Sequence, residues 1–180
     1  MKQLLLILVL LMSTRAIAGG PSRRLCGFDF EERALGNDED QPMHWTKQAG
    51  DGFPHYVTGR LTTDKARSGK YSFRMDLNGG SCVYSYDPTR IPVAAGAHYH
   101  VEVFCQTTTL QHARARVSAY LVDADFRPVP GSEKHSIPFT SEGVEDTWTP
   151  LSVDITADTD KAEFLVLKLE LLQPEKLGGP

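Results

Sequence analysis

From residue 55 to residue 172 the chain alternates apolar and polar positions in short runs, punctuated by glycine, proline, asparagine and aspartate. Period-two alternation lines one side of an extended chain with apolar side chains, so each run reads as a half-buried strand. HYVTGRLT (55–62), YSFRMDLN (71–78), CVYSYD (82–87), HYHVEVFCQT (98–107), ARARVSAYLVD (113–123), HSIPF (135–139), WTPLSVDIT (148–156) and AEFLVLKLELL (162–172) carry the pattern, and CGFDFEE (26–32) carries it near the start. No window of helical length has an apolar stripe at i, i+3 and i+4. About nine strands predict an all-β chain, a two-sheet antiparallel β-sandwich or jelly roll. The polar stretch RALGNDEDQPMHWTKQAGDGFP is rich in turn residues and reads as loop, with Trp45 as its anchor.

The alternation also assigns faces. Tyr71, Phe73, Met75 and Leu77 share one side of their run, and Ser72, Arg74, Asp76 and Asn78 share the other. Ala113, Ala115, Val117, Ala119 and Leu121 oppose Arg114, Arg116, Ser118 and Tyr120. A face built so largely of alanine needs bulk from an opposing layer, and Leu165, Leu167, Leu169 and Leu171 of the last run are the candidates. That last run has the character of a central strand. The chain ends soon after it in the turn-like QPEKLGGP, so a neighbour on its far side comes from earlier in the chain or is missing.

The opening MKQLLLILVLLMSTRAIAGG differs from everything after it. Lys2, the apolar run Leu4 to Met12 and the small-residue site Ala16-Ile17-Ala18 predict a signal peptide over 1–18. Its apolar run falls short of the roughly 20 residues that span a bilayer, so no stable membrane anchor is expected after cleavage at Gly19. The protein is expected to be secreted, extracellular or periplasmic, with a linker at 19–25, a domain at 26–174 and a tail at 175–180. Roughly 160 remaining residues suit one domain with a proper core. A net charge of -4 with a pI near 5.8 leaves no basic patch of the size a nucleic-acid binder needs, so nucleic acid is not an expected partner. Of the three cysteines, Cys82 and Cys105 either bridge neighbouring strands or act as small buried hydrophobes.

Three kinds of chemistry suggest themselves. His98, His100 and Glu102 share a face, as in a cupin-like metalloenzyme, but same-face neighbours on a strand lie about 7 Å apart, too far for one ion to reach all three without a bent strand. For nucleophilic catalysis the chain has no G-x-S-x-G elbow, and its acidic pairs lie in polar stretches that read as hydrated surface. The aromatics Trp45, Tyr56, Tyr84, Tyr86, Phe104, Tyr120 and Trp148 offer flat apolar faces suited to sugars or to cross-strand packing, with Tyr84 and Tyr86 on one face.

Phe30-Glu31, Trp45, the stretch Ala66-Arg67-Ser68-Gly69-Lys70-Tyr71-Ser72-Phe73-Arg74, then Gly96-Ala97-His98-Tyr99 and Trp148 with Leu151 occur in an order that resembles the jelly-roll carbohydrate-binding modules of the xylan- and glucan-binding type. The resemblance covers Cys26 to about Pro174 and lacks the family's last strand, as in a truncated chain. It implies a galactose-binding-domain-like sandwich without catalysis, probing polysaccharide for a larger extracellular protein. It also implies a structural calcium, with Glu31 giving a carboxylate oxygen and Lys70 its backbone carbonyl. A ligand face would then comprise Arg74, Asp76, Asn78, Tyr84, Tyr86, His98, His100, Glu102, Arg114 and Arg116. The arginine forks favour acidic or sulfated polysaccharides. The alternatives are a structural or protein-interaction sandwich of the cell envelope without sugar affinity, and the cupin-like metalloenzyme.

Overall fold

The computed structural model describes residues 7–14 (by backbone pairing), 23–32, 36–37, 39–77, 79–108, 110, 112–140 and 146–173. Its strands are β1 (Ile7–Thr14), β2 (Arg23–Phe28), β3 (Trp45–Lys47), β4 (Gly59–Thr62), β5 (Ser72–Met75), β6 (Cys82–Tyr86), β7 (His98–Gln106), β8 (Arg114–Val122), β9 (Lys134–His135), β10 (Thr149–Thr156) and β11 (Phe164–Leu172). Two antiparallel sheets form. The first runs β10-β7-β1-β5-β4, with β2 also pairing β1, and the second runs β3-β6-β11-β8-β9. The all-β, two-sheet antiparallel sandwich read from the alternation is therefore the architecture.

The sheets bury their inner faces against each other. Phe73, Met75, Val101, Val103 and Cys105 of the first sheet share one core cluster with Tyr84, Val117, Leu121 and the leucines of β11. The Phe73 ring meets the Tyr84 ring edge-on across the gap, with centroids 4.8 Å apart. Fully burying side chains of this size contributes roughly 1.5–3 kcal/mol each, which is why the parity of each strand is strongly fixed.

Strand β11 is central, paired with β8 on one side and β6 on the other, so its far neighbour does come from earlier in the chain. Its leucines are not the layer opposite the alanines of β8, however. Leu167 is the register partner of Ala119 and Leu171 of Ala115, so they fill the space from the side, within one sheet. Cys82 and Cys105 lie in different sheets and are both buried thiols, so they do not bridge adjacent strands. Burial pushes the Cys82 thiol up to about 12 and the Cys105 thiol well above its ordinary value.

Several strand limits differ from the alternation. Residues 55–58 lie outside β4, and β9 keeps only His135 of the 135–139 region together with Lys134. At the start, Phe30 takes the left-handed conformation at φ 61° and ends the extended run, yet its ring is buried against Trp45 and Phe73. Two strands arise where none was expected: β3 around Trp45, and β1 from the leader-like apolar run, lodged between β5 and β7.

Candidate functional site

The 48–58 segment is held at almost every turn. Gly50 and Gly52 have φ of 118° and 79°, which a side chain would strain. The Gly52 carbonyl accepts from Ser81 N at 2.9 Å, and Lys47 Nζ donates to the carbonyls of Pro54 at 2.7 Å and His55 at 3.2 Å. Pro54 packs on Gly80 where a Cβ would lie 2.5 Å from its ring, and Val57 is sunk in the core. An apolar plug and fixed carbonyls leave the Phe53–Tyr56 stretch as a preshaped wall.

The opposite wall is residues 39–41, braced by Asn37. Asn37 Nδ2 donates to the Gln41 carbonyl at 2.7 Å, while Gln41 N donates to Asn37 Oδ1 at 2.9 Å. Gln41 Nε2 then donates to the Gly59 carbonyl at 2.9 Å.

Tyr84 lies at the junction of the two walls. Its hydroxyl accepts from Gly59 N and donates to Gln41 Oε1, both at 3.0 Å, and lies 3.0 Å from Thr58 Oγ1. Burial raises the Tyr84 pKa, against the pull of the Thr58 and Gly59 hydrogen bonds. Only 1% of Tyr84 is exposed.

Between these parts opens a cleft of about 440 Å³, walled by Glu39, Trp45, Gln48, Phe53 and His55 with Tyr84 beneath. Tyr56 stands beside it, 64% exposed, its ring edge-on to His55 with centroids 5.7 Å apart. Among the described residues, the side chains of Glu39, Gln48 and His55 spend no hydrogen bond within the fold. A carboxylate, an amide and an imidazole beside aromatic faces can bond hydroxyls while covering C–H surfaces. Tyr86 lies beyond Trp45, lining a smaller pocket of about 120 Å³ with Phe28, 4.5 Å away between ring centroids.

The other residues of the sequence-derived ligand face are not gathered here. Arg74, Asp76, His98, His100 and Glu102 occupy the outer face of the first sheet, Arg114 and Arg116 the outer face of the second, and Asn78 lies outside the described residues. Alternation fixes a residue's side on its own strand but not the sheet the strand joins. Most of these groups are also engaged. Arg74 donates from Nε to Asp76 at 2.8 Å and from Nη1 to Asp64 at 2.9 Å, and Arg67 in the β4–β5 connection sits 3.4 Å from the centre of the Phe104 ring. Arg114 Nη1 donates to the Ala113 carbonyl at 2.7 Å. Arg116 pairs with the buried Glu170, whose carboxylate also accepts from Ser118 Oγ. His135 Nδ1 lies 2.7 Å from that hydroxyl, so the buried serine sits between acid and imidazole. In a nucleophilic triad the imidazole takes that middle place.

The H-x-H pair converges on a carboxylate from the neighbouring strand rather than on Glu102. His100 Nδ1 is 2.9 Å and His98 Nε2 3.4 Å from the same Asp154 oxygen, with His98 Nδ1 3.0 Å from Thr156 Oγ1. The His100 hydrogen bond, ahead of the charges of both imidazoles, holds the Asp154 carboxyl below its ordinary value. Among the described residues no group of three or more His, Cys, Asp or Glu could hold a metal ion.

Glu31 and the Ser-Gly-Lys turn do meet, but as acceptor and donors. Glu31 Oε1 accepts from Lys70 N at 2.7 Å and Tyr71 N at 2.8 Å. In a trans peptide the carbonyl points opposite to the N–H, so the Lys70 carbonyl faces away from the carboxylate. The two groups do not fit around one calcium ion in this arrangement; the carboxylate clips the turn by itself.

Comparison with known proteins finds no family model that matches the chain and no curated protein that matches it.

Two measurements test this geometry. Tyr84→Phe keeps the ring but leaves the Gly59 N–H and the Gln41 amide oxygen short of a partner, so urea unfolding is expected to show a loss of about 1–3 kcal/mol; a loss below about 0.5 kcal/mol contradicts the anchoring role. Because the folded Asp154 pKa is depressed, its stabilisation is present above the ordinary carboxylate value of about 3.9 and fades as pH falls through the lower folded value. The gap in thermal midpoint between wild type and Asp154→Asn should therefore close below about pH 4. A gap that persists unchanged to the lowest pH contradicts it.

Proposed function

We propose that the chain is a non-catalytic glycan-binding module, and that the cleft between residues 39–41 and 48–58 receives a short segment of neutral polysaccharide. The observation that carries this reading is the exposed Tyr56 ring beside a cleft whose Glu39, Gln48 and His55 side chains are uncommitted within the described fold. Sugars present hydroxyls at their edges and C–H groups on their faces, and this wall offers partners for both.

A neutral ligand suits the charges better than a sulfated one. Of the arginines that would favour sulfate, Arg74 is tied to Asp64 and Asp76 and Arg116 to Glu170, and Lys47 at the cleft spends its ammonium on main-chain carbonyls. The resemblance to carbohydrate-binding modules, carried by Phe30-Glu31, Trp45 and the Ser-Gly-Lys turn, points the same way, and the sandwich fold is compatible with it. Residence outside the cell accords with the leader-like start.

Titration calorimetry against neutral, acidic and sulfated polysaccharides tests the proposal. Binding to a neutral glycan without product release is expected, weakened at least about tenfold, or 1.4 kcal/mol, by Tyr56→Ala and by Gln48→Ala at unchanged thermal midpoints. Arg116→Ala should leave the affinity unaltered. Silence across the whole panel, or affinity indifferent to Tyr56 and Gln48, contradicts the proposal.

A further inference from the structure

One strand position of the first sheet carries two incompatible demands. Ile7–Thr14 pairs antiparallel with β7 over seven register positions, from Ile7 opposite Gln106 to Ser13 opposite His100. Its other edge pairs with β5 at Ile7 and Leu8 and with β2 from Leu10 to Thr14. No other described strand joins β7 to β5. Yet this same segment reads from the sequence as the apolar run of a leader ending in a small-residue cleavage site at Ala18. Removing it would divide the sheet into β10-β7 and β5-β4 and leave β2 without its described strand partner, opening two unpaired edges over Phe73, Val101, Val103 and Cys105, all 0% exposed. Unpaired edges above an apolar floor are strand templates.

We propose that the position between β5 and β7 is a strand-acceptor slot, filled in the processed protein by an extended strand from another polypeptide. The resident segment specifies the occupant. It runs antiparallel to both neighbours, spans about seven residues, and places apolar residues where Leu8, Leu10 and Met12 now stand opposite Cys105, Val103 and Val101. At the Ile7 end, Gln106 Oε1 and Thr107 Oγ1 are buried without a hydrogen-bond partner among the described residues, so the occupant carries a polar donor there. A second copy is poorly placed to serve, because its own long described strands are already paired and its 7–14 segment is removed by the same processing. The slot is separate from the Tyr56 cleft, so either proposal can fail alone.

The test uses the full chain with a site-specific protease sequence inserted between Arg15 and Gly20, so that after cutting the Ile7–Thr14 piece is held by pairing alone. A fluorescein-labelled peptide ILVLLMST flanked by lysines should enter the cut protein saturably at one per chain, whereas a peptide with prolines replacing its third and fifth residues should not. Equal uptake of both peptides, or dimerisation of the cut protein without uptake, overturns the proposal. In the uncut chain, Leu10→Pro should speed amide exchange in β5 and β7 while β8 and β11 stay protected. Unchanged protection in β5 and β7 overturns it as well.

Discussion

The Tyr84 hydroxyl joins three separate parts of the molecule at one point. Its ring belongs to the core of the second sheet and meets Phe73 of the first, while its oxygen ties Gly59 at the start of β4, Thr58 at the end of one loop and Gln41 in another. A buried phenol costs free energy unless its polar end is paired, and here pairing it also fixes both walls of the cleft. The cleft is thus shaped by the packing of the sandwich, with the entropic cost of ordering its walls met during folding rather than on binding.

The outer faces of the sheets follow a different logic. Wherever an inner position is apolar the next residue must face out, and several of the resulting polar side chains engage one another: Arg74 with Asp64 and Asp76, Asp154 with His98 and His100, Arg116 with Glu170. These groups add order to the surface and leave little charge to recruit a ligand. The side chains of Glu39, Gln48 and His55, on loops at the β3 edge beside Tyr56, stand outside that pairing among the described residues.

The fold was legible because its signal is local. Phe73 and Met75, or Leu165 through Leu171, declare their shared face within one run, and burial then requires a second layer. The candidate site was not, because its determinants are distant pairings: His100 with Asp154 and Arg116 with Glu170 are each 54 residues apart in sequence. Tyr84 and Tyr86 looked like a ligand platform, since alternation places them on one face without saying whether that face is covered. Tyr56 was visible as an aromatic within a run read as a strand, and only the clamping of Lys47, Pro54 and Val57 turns its segment into a loop that displays the ring. The β1 segment shows the same limit from another side, since an apolar run satisfies both a leader and a sheet interior.

Mapping amide chemical-shift changes on the labelled protein during titration with a neutral polysaccharide tests the central claim most directly. The account predicts perturbations concentrated in residues 39–41, 46–49 and 53–59, including Tyr56 and the Gly59 amide that donates to Tyr84. Perturbations centred instead on His98, His100 and Glu102, or on Arg114 and Arg116, would contradict it.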